Sequence, residues 1–361
     1  MGNAERKNVF VVGAGASREF GLPTGAELLD GIAQKAIIGF NENNEIVGDK
    51  RLFDQFRALA KSDDRPDPTA SQYINACSFI KDNMALAPSI DNFLHTHSGN
   101  RFVVRAGKAL ISKVILESEA QSSVKRKYDE NFDFDKKTER YDPLRETWLA
   151  QLFRLMVSEK DFAGFVKGLT NIIFISFNYD RCIEEFLVGA SNQYFSCTPD
   201  QKAEIEAAIR VVHPYGWLGP IGTGPNSVAF GEESDSTDII AISEGIRTFT
   251  EGLSNSALFG EIETAFREAE VCVFLGFGFL RLNLDLLFEG KEYNLDRVIG
   301  TAKGSSSEST MLIERYLRDK LLFGGHSSKP MLIRSSEDKL KLSNVTCADL
   351  FWEHSRFLQG G

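Results

Sequence analysis

A run of apolar, mostly β-branched residues, Val9-Phe-Val-Val12, leads without polar alternation into Gly13-Ala-Gly15-Ala-Ser17. A strand that is hydrophobic at every position has both faces covered, as in a parallel sheet with helices on each side. Gly13 and Gly15 allow a sharp turn and a close backbone approach, because neither carries a Cβ. Ser17 is placed to cap a following helix, whose free N–H groups would face an anion. The stretch therefore reads as a nucleotide phosphate cradle at the end of a buried strand. A tight turn with no ligand is the plainer use of the same glycines.

Two established cradles are excluded by the residues present. Arg18 stands where the third glycine of the dinucleotide fingerprint would fall. The acids about twenty residues further on, Glu27 and Asp30, lie in a helical pattern and not at a strand end. No lysine follows the glycines, so this is not a Walker loop.

The rest of the chain repeats the motif of an apolar run ending in small or polar residues. Ile172-Ile-Phe-Ile-Ser176 runs into Phe177-Asn178-Tyr-Asp180, and Ile209–Val212 delivers His213-Pro-Tyr-Gly216. Val271–Leu275 leads into Gly276-Phe277-Gly278, and Arg297-Val-Ile-Gly300 into Thr301–Gly304. Helical patterns lie between them. Late strands are expected at 331–334 and 344–347, with a closing helix over 348–358. Residues 50–165 carry helical periodicity and few strand signals, with helices expected over 51–61, 69–86, 101–116 and 142–157. The expected architecture is α/β: a Rossmann-like parallel sheet flanked by helices, with a mostly helical insertion after the first strand. Its segments are 1–40 and 165–361 for the sheet domain and 41–164 for the insertion. A helix is expected over 25–40, and a charged, exposed, mobile segment over 125–140. The Gly-, Ser- and Pro-rich stretch 219–238 is long enough for a lid.

Global properties narrow the function classes. The net charge of −10 over 361 residues argues against direct binding to nucleic acid or an anionic membrane. Five scattered cysteines, none in a Cys-x-x-Cys pair, fit reduced thiols in a cytoplasmic protein and no zinc site. The polar opening carries no signal peptide pattern, and no apolar run approaches the roughly 20 residues of a membrane helix. His95 and His97 are two apart, a spacing that does not suit a helical metal pair, which favours i, i+4.

In open α/β sheets ligands bind beyond the carboxyl ends of the strands. The residues after each apolar run are thus expected to converge on one crevice. Taken in order, Gly13-Ala-Gly-Ala-Ser17 with Gly21-Leu-Pro-Thr24, Ser176-Phe-Asn178-Tyr-Asp180, His213-Pro-Tyr-Gly216 and Gly276-Phe-Gly278 resemble the motifs of sirtuin-like domains. They resemble most the NAD-cleaving effectors of bacterial antiphage defence. The resemblance covers most of residues 8–305 and leaves the insertion largely aside.

The resemblance implies NAD+ as substrate. It assigns Gly13, Ala14, Gly15 and Ser17, with Pro23 and Thr24 close behind, to the phosphate turn. Asn178 holds the nicotinamide-ribose region and an attacking water, and Asp180 lies near the nicotinamide. His213 stands at the ribose hydroxyls as a base or orienting group. Gly276, Phe277 and Gly278 lie near the adenosine half, and Asp91 matches an acidic position of the insertion. Implied partners are further copies of the chain and an operon-encoded protein such as a ring ATPase of the HerA type.

The chemistry suits these residue types. Cleavage at the ribose passes through an oxocarbenium-like state. An amide can position water there without being alkylated, and an imidazole can take up a proton near neutrality. Plainer uses stand beside these: Asn178 as a helix cap, His213 as a packed strand-end histidine, Asp180 as a charge at a helix start. Two departures point away from lysine deacylation. The chain lacks the four-cysteine zinc module, and it reads Thr24-Gly25-Ala26 where deacylating sirtuins have Asp-Phe-Arg. Hydrolysis of free NAD+ is favoured over a zinc-free deacylase, a non-catalytic nucleotide sensor and a dehydrogenase.

Overall fold

The structure, a computed structural model, describes residues 7–62, 70–128, 144–224, 227–288, 290–322 and 339–358. Its strands in chain order are β1 (Asn8–Val12), β2 (Gly39–Phe40), β3 (Ile46–Val47), β4 (Ile172–Ser176), β5 (Val211–Val212), β6 (Val271–Leu275), β7 (Arg297–Thr301) and β8 (Leu340–Ser343). Six of them form one parallel sheet in the order β5-β4-β1-β6-β7-β8. Counted within that sheet the order is 3-2-1-4-5-6, a doubly wound arrangement whose succession reverses between β1 and β6. The expected α/β class and parallel sheet are what the structure shows.

Alternation along β1 explains its unbroken hydrophobicity. Val9 and Val11 enter a core with Leu110, Ile111, Phe274 and Val298, whereas Phe10 and Val12 enter a second core with Trp148, Phe165, Phe174 and Phe351. Each face of the strand meets its own layer, so no position is left for a polar residue. Phe10 stacks on Phe351 with ring centroids 6.1 Å apart.

The stretch 41–164, with the helix that runs across its end, feeds both layers. The helices Lys50–Ser62, Ala70–Asn83 and Arg101–Gln121 supply the first core, and Trp148–Val157 with Phe162–Thr170 supplies the second. Lys113 is buried between Asp49 and Glu117, at 2.6 and 3.3 Å, and ties two of these segments together. Among the described residues no helix is long and apolar enough to cross a membrane.

Several local expectations are corrected. The helix after the glycine turn ends at Lys35, and Gly39–Phe40 instead pairs antiparallel with Ile46–Val47. Gly48 makes that reversal possible: at φ +84° its missing Cβ would lie 1.7 Å from the Ile37 carbonyl oxygen. The last strand is Leu340–Ser343 and not 344–347; its neighbour Cys347 already begins the closing helix, which runs to Leu358. The strand expected at 331–334, His326 and most of the charged segment 125–140 lie outside the described residues; residues 123–128 are helical.

Candidate functional site

The carboxyl ends of β5, β4, β1, β6 and β7 deliver His213, Asn178, the Gly13–Ser17 turn, the Gly276–Gly278 turn and Thr301 to one edge of the sheet. The β1 and β6 turns meet at the point where strand order reverses, the general position of ligand crevices in such sheets.

These two turns pack on each other. Gly13 N–H donates to the Leu275 carbonyl at 2.9 Å and Gly15 N–H to the Gly276 carbonyl at 3.0 Å. A Cβ on Gly13 would stand 2.6 Å from the Gly276 oxygen, and one on Gly276 would stand 2.1 Å from the Ala16 nitrogen. Gly276 is left-handed at φ +55°, and its own N–H is received by the Thr301 hydroxyl at 2.8 Å. The glycines are thus required by contact between two backbones. The amides of Gly13, Gly15 and Ala16 are all bonded internally, the last to the Gly13 carbonyl. Three of the amides expected to face an anion at this turn are thus spent inside the protein. Ser17 does not cap a helix either. The four-residue helix Ala14–Ser17 begins at Gly13 without a side-chain cap, and its continuation Arg18–Phe20 has none.

Ser17 instead joins a buried polar chain. The amide nitrogen of Asn178 donates to the Ser17 Oγ at 2.7 Å and to the Gly13 carbonyl at 3.1 Å. The Asp180 carboxylate receives Cys182 N–H at 3.1 Å. Burial pushes the Asp180 carboxyl up, against the pull of the nearby Ser17 hydroxyl and of that bond. With both amide protons engaged, Asn178 can serve a ligand by its Oδ1, as an acceptor. It is Asp180, and not Asn178, that serves the start of the helix Cys182–Phe195.

The chain continues through the backbone. His213 Nδ1 lies 3.0 Å from the Asn178 carbonyl oxygen, and Nε2 lies 3.1 Å from Glu184 Oε1. The imidazole also stacks on Trp217, with centroids 5.1 Å apart and planes 13° apart. His213 is 7% exposed, and both ring nitrogens have partners.

Asp91 reaches the site through a neighbour. It sits in the first turn of the helix Ile90–Thr96, capped by Ser89, and accepts the hydroxyl of Tyr179, the residue after Asn178. Burial pushes the Asp91 carboxyl up to about 6, opposed by that hydrogen bond. Phe277 is buried against Phe177, Phe274 and Phe279. Gly278 has open space, its nearest would-be neighbour being Leu280 at 3.9 Å. Phe279 adopts φ +51°, an unusual backbone for an aromatic residue, so the β6 exit is held in a strained form.

Thr24 does not contribute a free polar group. It forms a reciprocal cap with Glu27, whose carboxylate receives the Thr24 N–H at 2.8 Å and hydroxyl at 2.9 Å. Pro23 is half-buried just ahead of that cap, and Ala14 half-buried at the start of the β1 turn. Arg18 also binds Glu27.

Three groups escaped sequence reasoning. Glu184 follows Asn178 by six residues on the next helix, and only the fold turns it toward His213. Thr301 is the side chain that receives the Gly276 amide. Arg181 and Glu119, both fully buried, form an ion pair; Arg181 also donates to the Val228 carbonyl at 2.6 Å, and Glu119 receives Gly231 N–H at 3.2 Å. The loop expected as a lid is therefore held at Gly219, Val228, Ala229 and Gly231. His95 faces Thr250 at 3.1 Å and His97 packs on Phe93; among the described residues no group of three or more His, Cys, Asp or Glu side chains could hold a metal ion.

No protein-family model matches the chain, and no curated protein matches it.

Proposed function

We propose that the chain is an NAD+ glycohydrolase. It cleaves the bond between nicotinamide and ribose, adding water at the ribose carbon and releasing nicotinamide, ADP-ribose and a proton. The observation that carries this reading is the Ser17–Asn178–His213–Glu184 chain, assembled where the 3-2-1-4-5-6 sheet reverses. An asparagine whose amide protons are engaged offers an acceptor oxygen to a water. That oxygen can orient the water without competing as a nucleophile for an oxocarbenium-like carbon. A buried acid, Asp180, lies near the Ser17 hydroxyl. The motif resemblance to sirtuin-like effectors assigns Asn178, Asp180 and His213 to nicotinamide and ribose, and Ser17 to the phosphate turn. It also supplies the biological setting: depletion of cytoplasmic NAD+ during phage infection, gated by assembly of the chain or by an operon-encoded partner such as a HerA-type ring ATPase.

A second reading is favoured by the occupied nitrogens of His213. In it the chain binds NAD+ or ADP-ribose without cutting it and controls assembly. One experiment separates the two. NAD+ consumption with product identification is followed for wild type and Asn178→Ala, with and without the operon partner. Nicotinamide and ADP-ribose appear in the wild type and not in the variant if the hydrolase reading holds. Intact NAD+ under every condition, with the biological effect preserved in Asn178→Ala, replaces it with the sensor.

A further inference from the structure

The polar chain does not stop at His213. Glu184, in the first turn of the helix Cys182–Phe195, meets His213 Nε2 through Oε1 at 3.1 Å. Its other oxygen, Oε2, is buried and has no hydrogen-bond partner. A buried carboxylate oxygen without a donor is unfavourable, and a hydroxyl that donates to it relieves the deficit. The side chain as a whole keeps 17% exposure although Oε2 itself is covered, whereas His213 is closed off by Trp217 and its two polar partners.

We propose that Glu184 is the residue that binds a ribose hydroxyl of the nucleotide, accepting it at Oε2 while His213 holds Oε1. A carboxylate is acceptor only and a sugar hydroxyl donates readily, the pairing used for ribose recognition in dinucleotide folds. His213 then acts through Glu184 as a positioning residue. Its ring is fixed by the Asn178 carbonyl on one side, Glu184 on the other and the Trp217 indole across its face. This deepens the nucleotide reading of the site and rests on it.

The test uses the full chain and three probes: NAD+ and its analogues lacking the 2′- or the 3′-hydroxyl of the nicotinamide ribose. Affinities are measured calorimetrically for wild type and Glu184→Gln, with melting temperatures as a check on folding. Nitrogen-15 resonances of the His213 ring are recorded without ligand. In the wild type at least one deoxy analogue binds roughly ten- to a hundredfold more weakly than NAD+, the range of a hydrogen bond to a charged group. Glu184→Gln loses that discrimination and shifts the His213 resonances while melting close to wild type. Equal discrimination in both proteins overturns the role of Glu184 and leaves the NAD+ reading standing. Discrimination that depends on Glu184, in a protein that leaves NAD+ uncut, keeps the role and overturns the hydrolase. A wild type that binds neither NAD+ nor ADP-ribose overturns both.

Discussion

Gly15 and Gly276 touch backbone to backbone: a Cβ on Gly276 would lie 2.3 Å from the Gly15 carbonyl carbon, and Gly15 N–H donates to the Gly276 oxygen at 3.0 Å. The contact locks together the turns that leave β1 and β6, so the crevice at the strand reversal is built around a fixed seam. Asn178 is then hung on that seam through the Gly13 carbonyl.

The two glycines of the β6 turn should respond oppositely to a methyl group. Gly276→Ala meets backbone atoms and also has to hold φ +55°. It is expected to cost about 3 kcal/mol or more, a value typical of core overpacking joined to backbone strain. Gly278→Ala meets nothing closer than 3.9 Å and should stay within about 0.5 kcal/mol of wild type. Chemical denaturation of both variants checks the pair. A nucleotide KM raised by Gly278→Ala at unchanged stability would place the adenosine half against that open face.

Asn178→Ala is expected to affect folding and turnover separately. It removes the donor from the Ser17 hydroxyl and the Gly13 carbonyl, both in the buried interior, at about 1–3 kcal/mol of stability. Loss of the acceptor that orients water should lower kcat by about a hundredfold or more, the range of a positioned catalytic group. Ser17→Ala leaves the acceptor in place, so it should give a comparable stability loss with a much smaller drop in kcat. Equal drops in kcat for the two variants would mean that the amide works only as a structural tie.

The fold was legible where burial imposes a pattern. β1, β4 and β6 are covered on both faces, so their sequences are continuously apolar and end in small or polar residues. The hairpin at 39–47 was not legible, because Ile37–Phe40 continues the apolar spacing of the preceding helix and the decisive contact is between Gly48 and the Ile37 carbonyl. At the site, Asn178 and His213 stood out by their place after apolar runs. Glu184 looked like any acid in a helix start, and Asp91 meets Tyr179 across 88 positions. Such partners are set by topology, which local spacing does not encode. The glycines were legible as a special backbone, but their partner, a second turn more than 250 residues away, was not.

The buried pair Arg181–Glu119 joins the long insertion helix, the segment after Asn178 and the loop 219–231. Glu119→Gln leaves a buried guanidinium poorly compensated and is expected to cost about 3–5 kcal/mol. The loop should loosen first, because the Gly231 amide also loses its carboxylate, and limited proteolysis should cut within 219–231 faster than elsewhere. The double replacement Glu119→Leu with Arg181→Met removes the uncompensated charge and should recover much of the stability. Cleavage of the loop at the wild-type rate in Glu119→Gln would show that the pair does not hold it.

Asp91 makes the stability of the protein depend on pH in a defined direction. Burial raises its folded value to about 6 from an ordinary 3.8, so the native state favours the protonated carboxyl more than the unfolded chain does. The stabilisation is therefore complete below pH 4 and is lost as pH rises through about 6; above that, ionised Asp91 weakens the fold by up to about 3 kcal/mol. Asn at this position keeps an oxygen to accept the Tyr179 hydroxyl and cannot ionise. Asp91→Asn should thus be more stable than wild type at pH 7–8, with the difference shrinking toward pH 4. Urea unfolding across that range checks both the sign and the window. A gap between the two proteins that widens on acidification would mean that Asp91 is stabilised as a carboxylate and that the insertion grips Tyr179 by charge.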